Sequence, residues 1–297
     1  MRLRAKIGAF YPSFSLENRD IAWNGNFSTT PSVINSWVGE ELRTIGAEVG
    51  LDWPGRFRQS ASSWKLTGAV HGSNDAAGTI LDHRGWANHD RQTGLFSALR
   101  LPTLQTGEDR YIHPFYENDD DPGYYLTGEW RYLDQVTLQA SHYDNRSKTG
   151  HSRDGQSGWR TRFNQLAMQW RLPNELTLAA QVMDGSTLAV NPGSLIIYHS
   201  DFSAFYVLFN KVSGKHSWTA RYEQFSVDDL DHEPLDFSEQ DGDSFLLSWQ
   251  YRLSEQWRAG AEWLLFDSDR LERQLSFGQG HERINQLMLT LQYRFHN

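Results

Sequence analysis

The chain has 297 residues, no cysteine and a formal net charge of −9. The acidic balance argues against nonspecific nucleic-acid binding, and the lack of cysteine excludes a disulfide framework. Mean hydropathy is −0.64, and no apolar run approaches the ~18 residues that a transmembrane helix needs. Aromatic residues nevertheless reach 13%. A transmembrane β-barrel fits both facts, because only alternate residues face lipid while the lumen and loops are wet.

Alternating apolar and polar residues predict twelve β-strands, because successive side chains of a strand point to opposite faces. The strands are expected at about residues 2–10, 44–53, 63–71, 124–132, 136–140, 166–172, 176–182, 202–211, 217–225, 245–253, 257–265 and 287–295. The last strand is the clearest, since its large apolar residues from Leu287 to Phe295 all fall on one face.

The connections between these strands alternate in length. Short turns are expected near residues 54–62, 133–135, 172–175, 212–217 and 253–256, and long polar loops at 11–41, 72–122, 145–158, 185–199, 226–243 and 268–284. Outer-membrane barrels have short periplasmic turns and long extracellular loops. We therefore predict one all-β domain over residues 1–297, an antiparallel transmembrane β-barrel. A soluble β-sandwich, with one apolar face in a core, is the alternative.

Large aromatic residues concentrate near the short turns and the C-terminus. Those expected to form a girdle at the inner membrane interface are Trp53, Trp64, Tyr132, Trp170, Tyr251, Trp257 and Tyr293. Trp and Tyr are enriched where lipid headgroups meet hydrocarbon. Their placement favours the barrel over the sandwich.

Strand parity predicts which charged side chains point into the barrel lumen. The basic set is Arg2, Arg4, Lys6, Lys65, Arg131, Arg171, Arg221, Arg252, Arg258 and Arg294, and the acidic set is Glu48, Asp52, Glu129, Glu175, Glu223 and Glu262. Several arginines stand close to a short turn and are expected to form a cationic ring at the periplasmic mouth. Such a ring favours anions by lowering the cost of leaving water. Alternatively, these arginines pair with the inward carboxylates and only fill the barrel base.

Two loops carry further predictions. Loop 72–122 is too long for a simple connection, and it either folds into the lumen and narrows it or forms a lid on the outer surface.

Segment 226–243 holds eight carboxylates and no Lys or Arg. Carboxylates bind hard divalent cations, but no spacing here matches the twelve-residue calcium loop. We interpret the segment as a solvated loop and predict no metal site.

One segment resembles a known family. Residues 5–17 read Ala-Lys-Ile-Gly-Ala-Phe-Tyr-Pro-Ser-Phe-Ser-Leu-Glu, similar to the Val/Ile-Gly-Lys-Phe-x-x-Pro-Phe-Gly-Leu-Glu pattern of phosphate-selective (O/P-type) porins of Gram-negative bacteria. Ala9 replaces the Lys of that pattern and Ser15 replaces the Gly. Residues 124–130 and the closing strand are also similar to such porins.

The resemblance implies a sixteen-stranded barrel in which a few strands precede the matched segment. We therefore expect that about four N-terminal strands are missing from this chain, with a closed barrel of twelve strands as the alternative. The first residues show no apolar signal-peptide region. Removal of a signal peptide and truncation of the chain both explain that observation.

The resemblance also implies a function. We expect an outer-membrane porin-like channel for passive diffusion of small hydrophilic solutes, with anions as the preferred class and no cofactor. The expected partners are the lipid bilayer, lipopolysaccharide and the solutes themselves. A homotrimer is one assembly that the resemblance allows.

An enzyme is the second reading of the sequence. Residues 141–147 loosely resemble the active-site segment of outer-membrane phospholipase A, itself a twelve-strand barrel. His142 shares strand parity with Val136 and Leu138 and is expected on the lipid-facing side. However, Asp144 stands where that family has its Ser, and serine hydrolysis needs a hydroxyl nucleophile beside the base. We predict that the protein is not an enzyme, and we keep a phospholipase-like hydrolase and a soluble β-rich binding protein as alternatives.

Overall fold

The computed structural model describes residues 1–19, 23–57, 59–101, 111–191, 193, 195–231 and 237–295. Twelve strands form one antiparallel sheet in which each strand pairs with its neighbours in sequence. They are β1 (Arg2–Phe10), β2 (Thr44–Trp53), β3 (Ser62–Gly72), β4 (Gly123–Tyr132), β5 (Val136–Asp144), β6 (Arg160–Leu172), β7 (Leu176–Val190), β8 (Ile196–Ser213), β9 (His216–Asp229), β10 (Gln240–Arg252), β11 (Trp257–Arg270) and β12 (His281–Tyr293). The predicted all-β fold and its twelve strands are confirmed.

Helices and smaller ladders occupy the connections. They are α1 (Val33–Glu41), α2 (Thr79–Arg84), α3 (Leu271–Phe277), a 3-10 turn (Gly55–Phe57), the ladder of Leu99–Arg100 with Tyr111–Ile112 and that of Ser152–Arg153 with Gln156–Ser157. Within the described ranges, none of the helices is both long and apolar enough to cross a bilayer.

Several strands extend further on the long-loop side than predicted. β7 continues to Val190 and β8 begins at Ile196, so the predicted loop 185–199 is wrong for most of its length. The ladder continues because the outward residues there become polar, as at Asp184 and Asp201, without breaking the alternation. Apolar alternation in the sequence therefore predicts only the part of each strand that lies within the apolar band.

The acidic segment 226–243 divides in the same way. Asp228 and Asp229 end β9, and Asp241 and Asp243 lie near the start of β10. These four are strand residues rather than the loop residues that we predicted. Glu233 and Asp236 lie outside the described residues.

The apolar face of the sheet is exposed and its polar face is buried. Leu166 and Leu289 are 60% and 77% exposed, whereas Thr127, Gln165 and Gln181 on the other face are buried. A soluble sheet buries its apolar face. The reversal is the arrangement of a barrel that stands in lipid and has a filled lumen, and it disfavours the soluble alternative.

The aromatic girdle lies where the sequence predicts it. All seven predicted residues stand at the turn ends of their strands and are exposed or half-buried. The rings of Trp257 and Tyr293, on neighbouring strands, have centroids 4.8 Å apart. Cross-strand aromatic contacts of this kind stabilise a sheet.

β1 and β12 form the two edges of the sheet, and in the described residues no ladder joins them. Leu3 and Ile7 are exposed on the outward side of β1, and Arg2 and Arg4 are exposed on its inward side. The inward side of β12 is likewise largely exposed. Both edge strands are therefore uncovered on both faces.

The described parts of two long connections fold into the barrel, namely loop A (residues 11–19 and 23–43, with α1) and loop B (residues 73–101 and 111–122, with α2). Phe14 of loop A packs edge-on against three inward rings of the wall, with centroid distances of 5.2 Å to Tyr125, 6.0 Å to Tyr143 and 5.3 Å to Phe163. Helix α1 begins at the cap Ser32, whose hydroxyl accepts the backbone N–H of Asn35.

Loop B packs against loop A inside the lumen. Trp86 of loop B lies 5.7 Å from Trp37 of α1, and both rings pack against Phe202 of the wall at 6.0 and 5.3 Å. Of the two interpretations of loop 72–122, insertion into the lumen therefore holds for residues 74–89. Residues 102–110 lie outside the described part of the chain.

Trp37→Ala should loosen both loops, because this ring joins loop A, loop B and the wall. Truncation of a buried Trp typically costs about 3–5 kcal/mol. We expect the amides of α1 to exchange hydrogen faster than in the native protein, while the exchange rates of the wall strands β1–β12 stay unchanged. The Trp37→Phe variant should show a smaller effect, and equal exchange in all three proteins would contradict the packing role.

Candidate functional site

A buried arginine of the wall holds loop A. Arg221 of β9 is only 1% exposed, and its guanidinium pairs with Glu17 at 2.6 Å and Glu223 at 2.9 Å. It also donates to the backbone carbonyls of Thr30 and Pro31 at 3.0 and 2.8 Å. Loop A therefore supplies most of the acceptors that this buried charge requires.

Two wall carboxylates hold the backbone of the same loop. Glu223 accepts the N–H of Val33, the first residue of α1, at 2.7 Å. Glu262 of β11 accepts the N–H groups of Thr29 and Thr30 at 2.8 and 2.9 Å. The first turn of a helix leaves N–H groups without partners, and a negative charge there is stabilising. Glu223 supplies both an acceptor for a free N–H group and a negative charge at the start of α1.

Loop B is fixed by other strands. Gln240 of β10 accepts the N–H of Trp86 at 2.7 Å and donates to its carbonyl at 3.3 Å. Thr161 of β6 donates to the carbonyl of Ala77 at 2.5 Å. Arg270 of β11 donates to the backbone carbonyl of Asp82. The wall thus holds loop B through its backbone, as it does loop A.

The two loops also bind each other through Glu40 of α1. This fully buried carboxylate accepts from Arg84 at 2.6 and 3.0 Å, contacts His89 at 3.0 Å and lies 3.5 Å from Arg91. Burial alone would raise the pKa of Glu40, but the hydrogen bonds from His89 and Arg84 outweigh it and lower the pKa to about 2. Loops A and B therefore act as one body, which we call the plug.

The neighbouring carboxylate has the opposite character. Burial raises the pKa of Glu41 to about 7, although the Ile80 N–H and the Trp37 indole both favour its charged form. Burial also raises the pKa of Asp75 and of Asp82 in loop B. The plug thus contains carboxylates that keep their protons at a higher pH than carboxylates usually do.

Most of the predicted inward residues fall into three groups, whereas Glu175 lies exposed in the turn between β6 and β7 and not on a strand. In the first, Arg221, Glu223 and Glu262 are buried beneath loop A. In the second, basic and acidic side chains pair on the wall. Arg4 binds Asp52 at 2.6 Å and Lys6 binds Glu48 at 3.1 Å between β1 and β2, and Arg131 binds Glu129 at 2.6 Å within β4.

The third group lies at the turn end of the barrel, exposed or half-buried, and consists of Arg2, Arg171, Arg252, Arg258 and Arg294. Lys65 stands between Asp52 and Glu129 in the register of β2, β3 and β4. Parity thus brings the predicted strand residues onto one face, while the plug determines which of them are buried.

Sequence reasoning missed basic side chains of the plug, among them Arg19, Arg43, Arg84 and Arg91. Arg19 pairs with Glu129 at 2.6 Å, and the Arg43 guanidinium lies 4.6 Å from the centre of the Tyr11 ring. They escaped the parity rule because they stand in loops. Only insertion of those loops brings them into the lumen.

A cavity of about 560 Å³ lies between loop B, α3 and the inward faces of β11 and β12. Its walls include Arg84, Arg270 and Arg273, with Glu272 and Glu282 as counter-charges. The inward faces of β1 and β12 are left uncovered by the plug. The uncovered part of the inward surface therefore lies on the β11–β12–β1 side, where the sheet has its two unpaired edges.

One group of carboxylates in the described residues is close enough to hold a cation. Ligand atoms of Asp75, Glu117 and Asp119 lie within 4.8 Å of one another. Their oxygens already accept backbone N–H groups, from Asn118, Ser73 and Lys148 respectively. Backbone donors therefore satisfy one oxygen of each carboxylate, while in the described residues the Oε1 of Glu117 is buried without a hydrogen-bond partner.

His142 lies on the outward face of β5, as predicted. Its Nδ1 is 2.8 Å from the side-chain oxygen of Asn164, and its Nε2 is 3.4 Å from the hydroxyl of Tyr124. Asp144 instead binds Arg160 at 3.3 Å. Within the described part of the chain, neither ring nitrogen meets a serine hydroxyl, so the nucleophile of a serine hydrolase is not assembled here.

Comparison with known proteins bears on the fold. The chain matches no protein-family model and no curated protein. It is similar to the crystal structure of the outer membrane channel DcaP of Acinetobacter baumannii, with 12% identity and a TM-score of 0.58 over 98% of this chain and 71% of that one. The fold is that of an outer-membrane β-barrel. The exposed apolar band and the aromatic girdle agree with that location.

A second solved structure is OmpT, an outer membrane protein of Vibrio cholerae in its trimer form. It shares 12% identity with this chain and has a TM-score of 0.39, over 84% of this chain and 92% of that one. The specific resemblance to phosphate-selective porins is not confirmed by these comparisons.

Arg221→Met should release loop A, because it leaves Glu17 and Glu223 buried without their cation. Breaking a buried ion pair typically costs about 3–5 kcal/mol. A cost of that size shifts the equilibrium between docked and released loop A toward the released form on the order of 100-fold or more. The chain lacks cysteine, so a Val38→Cys probe in α1 reports opening by its rate of labelling with a maleimide. Arg252→Met, an exposed arginine on the next strand, is the matched control. Equal labelling in both variants would show that Arg221 does not hold the loop.

Plug stability should fall as pH rises from about 4.5 to about 7, because Glu41 keeps its proton in the docked plug and loses it when exposed. Its raised pKa of about 7 corresponds to at most about 3 kcal/mol across that window. Glu41→Gln should flatten part of the dependence, and the remainder belongs to Asp75 and Asp82. The denaturant midpoint of unfolding at pH 5, 6, 7 and 8 measures both. An unchanged slope in Glu41→Gln would refute the assignment.

Proposed function

We propose that this protein is a porin-like channel through which small hydrophilic solutes diffuse passively beside a fixed plug. The observation that carries the proposal is the asymmetry of the lumen. Strand charges hold the plug against most of the wall, whereas the inward faces of β1 and β12 remain uncovered. Diffusion along that side needs no cofactor and no chemistry.

Charge along the free side favours anions. Arg2, Arg4 and Lys6 follow one another on the inward face of β1, and the exposed Arg91 of the plug adds to them. Three carboxylates, Asp52, Glu48 and Glu40, pair with cations among these four, and Glu40 is shared with Arg84, so basic groups are in excess within this set. An excess of Arg and Lys lowers the cost for an anion to leave water.

The finer parts of the proposal come from the sequence. The resemblance of residues 5–17 to phosphate-selective porins makes inorganic phosphate and small organic anions the first solutes to test. We further propose contact with lipopolysaccharide in the outer membrane and assembly as a homotrimer. The DcaP structure, described as an outer membrane channel, supports a channel function for this fold.

Conductance across a planar bilayer tests the proposal. The reconstituted protein should conduct, and its reversal potential in a salt gradient should indicate anion preference. Arg91→Glu should lower the ratio of anion to cation permeability severalfold, because its side chain is 63% exposed and reversal adds a local negative charge. Arg283→Glu, on the outward face of β12, should leave the ratio unchanged. A folded sample without conductance would refute the channel, and cation preference would refute the charge argument.

A further inference from the structure

The cavity between loop B, α3 and the inward faces of β11 and β12 has one apolar wall. This wall is formed by Trp86, Leu264, Phe266 and Ile284. Elsewhere the plug covers large apolar side chains of the inner face, such as Phe163 and Phe202. Ile284, in contrast, is 39% exposed on the inward side of β12, next to the surface that the plug leaves uncovered. A solute on that side therefore meets an apolar patch in a mostly polar lumen.

The first charged pair of the cavity is held by the protein itself. Arg270, at the end of β11, is 3% exposed. Its guanidinium donates to Glu272 of α3 at 2.6 and 2.9 Å and to the carbonyl of Ser238 at 2.9 Å. These bonds hold the start of α3 against the wall. Arg270 and Glu272 therefore shape the cavity and leave the recognition of a solute to other groups.

The second charged pair, Arg273 of α3 with Glu282 of β12, is loose. The Nη2 of Arg273 lies 3.4 Å from the Glu282 carboxylate, beyond the roughly 2.7–2.9 Å of a charge-assisted hydrogen bond. Arg273 instead donates to the Ser268 hydroxyl and to the carbonyls of Ser268 and Gly280, each at 3.2 Å. Its Nε takes part in none of these contacts. The two side chains are 18% and 44% exposed, so a solute in the cavity reaches both.

The spacing of charge and apolar surface fits a zwitterion with an apolar body. Glu282 and Ile284 are successive inward residues of β12, about 7 Å apart along the strand. An α-amino acid carries its ammonium and carboxylate on one carbon and its side chain a few ångströms away. Its carboxylate would bind Arg273 and its ammonium Glu282, antiparallel to the loose pair of the protein.

The cavity excludes other classes of solute less by size than by charge. Its volume of about 560 Å³ falls within the roughly 300–1,000 Å³ of small-molecule sites. A purely anionic solute fits worse because Glu272 and Glu282 share the cavity, and a purely cationic one fits worse because Arg270 and Arg273 do. A solute with both charges leaves neither sign without a partner.

We propose that this cavity is a solute-binding subsite of the channel for α-amino acids with a large apolar side chain. Arg273 binds the carboxylate, Glu282 binds the ammonium, and Ile284 contacts the side chain. The proposal rests on the channel function proposed above and names a solute for the uncovered side. A zwitterion is compatible with the anion preference argued there, because its net charge is zero.

Fluorine NMR of the whole protein folded in detergent tests the site with para-fluoro-L-phenylalanine as the probe. Two analogues each lack one charge: para-fluorophenylpropionate has no ammonium, and para-fluorophenethylamine has no carboxylate. Line broadening should give the amino acid a dissociation constant roughly tenfold below that of either analogue, because each analogue loses one charge-assisted contact. Protein-free micelles correct for partition of the probes into detergent. Glycine, which lacks the apolar side chain, should not displace the probe at equal concentration.

Glu282→Gln should weaken binding of the amino acid roughly tenfold and leave binding of the propionate unchanged or tighter, since only the ammonium uses Glu282. Damage to the cavity as a whole would instead weaken both. Ile284→Thr, which keeps a β-branched residue in the strand, should weaken both probes severalfold through lost apolar contact. Asp241→Asn, on the outward side of β10, is the matched control and should bind all probes as the native protein does.

Equal affinity for the amino acid and its two analogues, displacement of the probe by glycine, or unchanged binding in Glu282→Gln would each overturn the proposal. A parallel loss of amino-acid and propionate binding in Glu282→Gln would overturn it as well. Conductance of the same samples separates the two claims. A conducting protein that does not bind the amino acid refutes only the subsite, and a protein that binds it without conducting refutes only the channel.

Discussion

The buried backbone of loops A and B is the constraint on which this structure depends. Outside α1, α2 and the short ladder of Leu99–Arg100 with Tyr111–Ile112, the described parts of both loops lack regular secondary structure, so their N–H and C=O groups require other partners. The inward face of the wall provides them: Glu262 for Thr29 and Thr30, Arg221 for Pro31, and Gln240 for Trp86. The polar inner face of the strands thus holds the plug in addition to contacting water. This dual use explains why charged residues that parity assigns to the lumen are among the most buried in the chain.

The segment that resembles phosphate-selective porins gains a physical meaning from this constraint. Phe14, Leu16 and Glu17 within it are all buried in the plug. Phe14 packs on three wall aromatics, and Glu17 binds Arg221 and the cap of α1. The pattern therefore describes how the first loop turns inward from β1. A residue type in this segment is constrained by the wall residue that it meets, which lies far away in sequence.

The separation along the chain between a plug residue and its wall partner explains what the sequence could predict and what it could not. The strands were predictable because lipid imposes a strict alternation on one face, and parity then placed Arg221, Glu223 and Glu262 correctly on the other. Their partners were not predictable: Arg221 and Glu17 are 204 residues apart, and Glu262 and Thr29 are 233 apart. The upper halves of β7 and β8 were missed because Asp184 and Asp201 replace apolar residues above the membrane. The plug cations Arg84 and Arg91 carry no periodic signal, since their position depends on how the loops pack.

The energetics of the plug also bear on selectivity. Burying an ion costs about several kcal/mol even in a favourable geometry, so Arg221 with Glu17 and Glu223 contributes more to a defined position of loop A than to its stability. Position is what the proposed channel requires, because the potential along the uncovered side depends on where each charge stands. Glu40 illustrates the point: by binding Arg84, His89 and Arg91 it holds three basic side chains beside the uncovered inward surface. A barrel with the same wall but a loose plug would keep the charges of the channel and lose their arrangement.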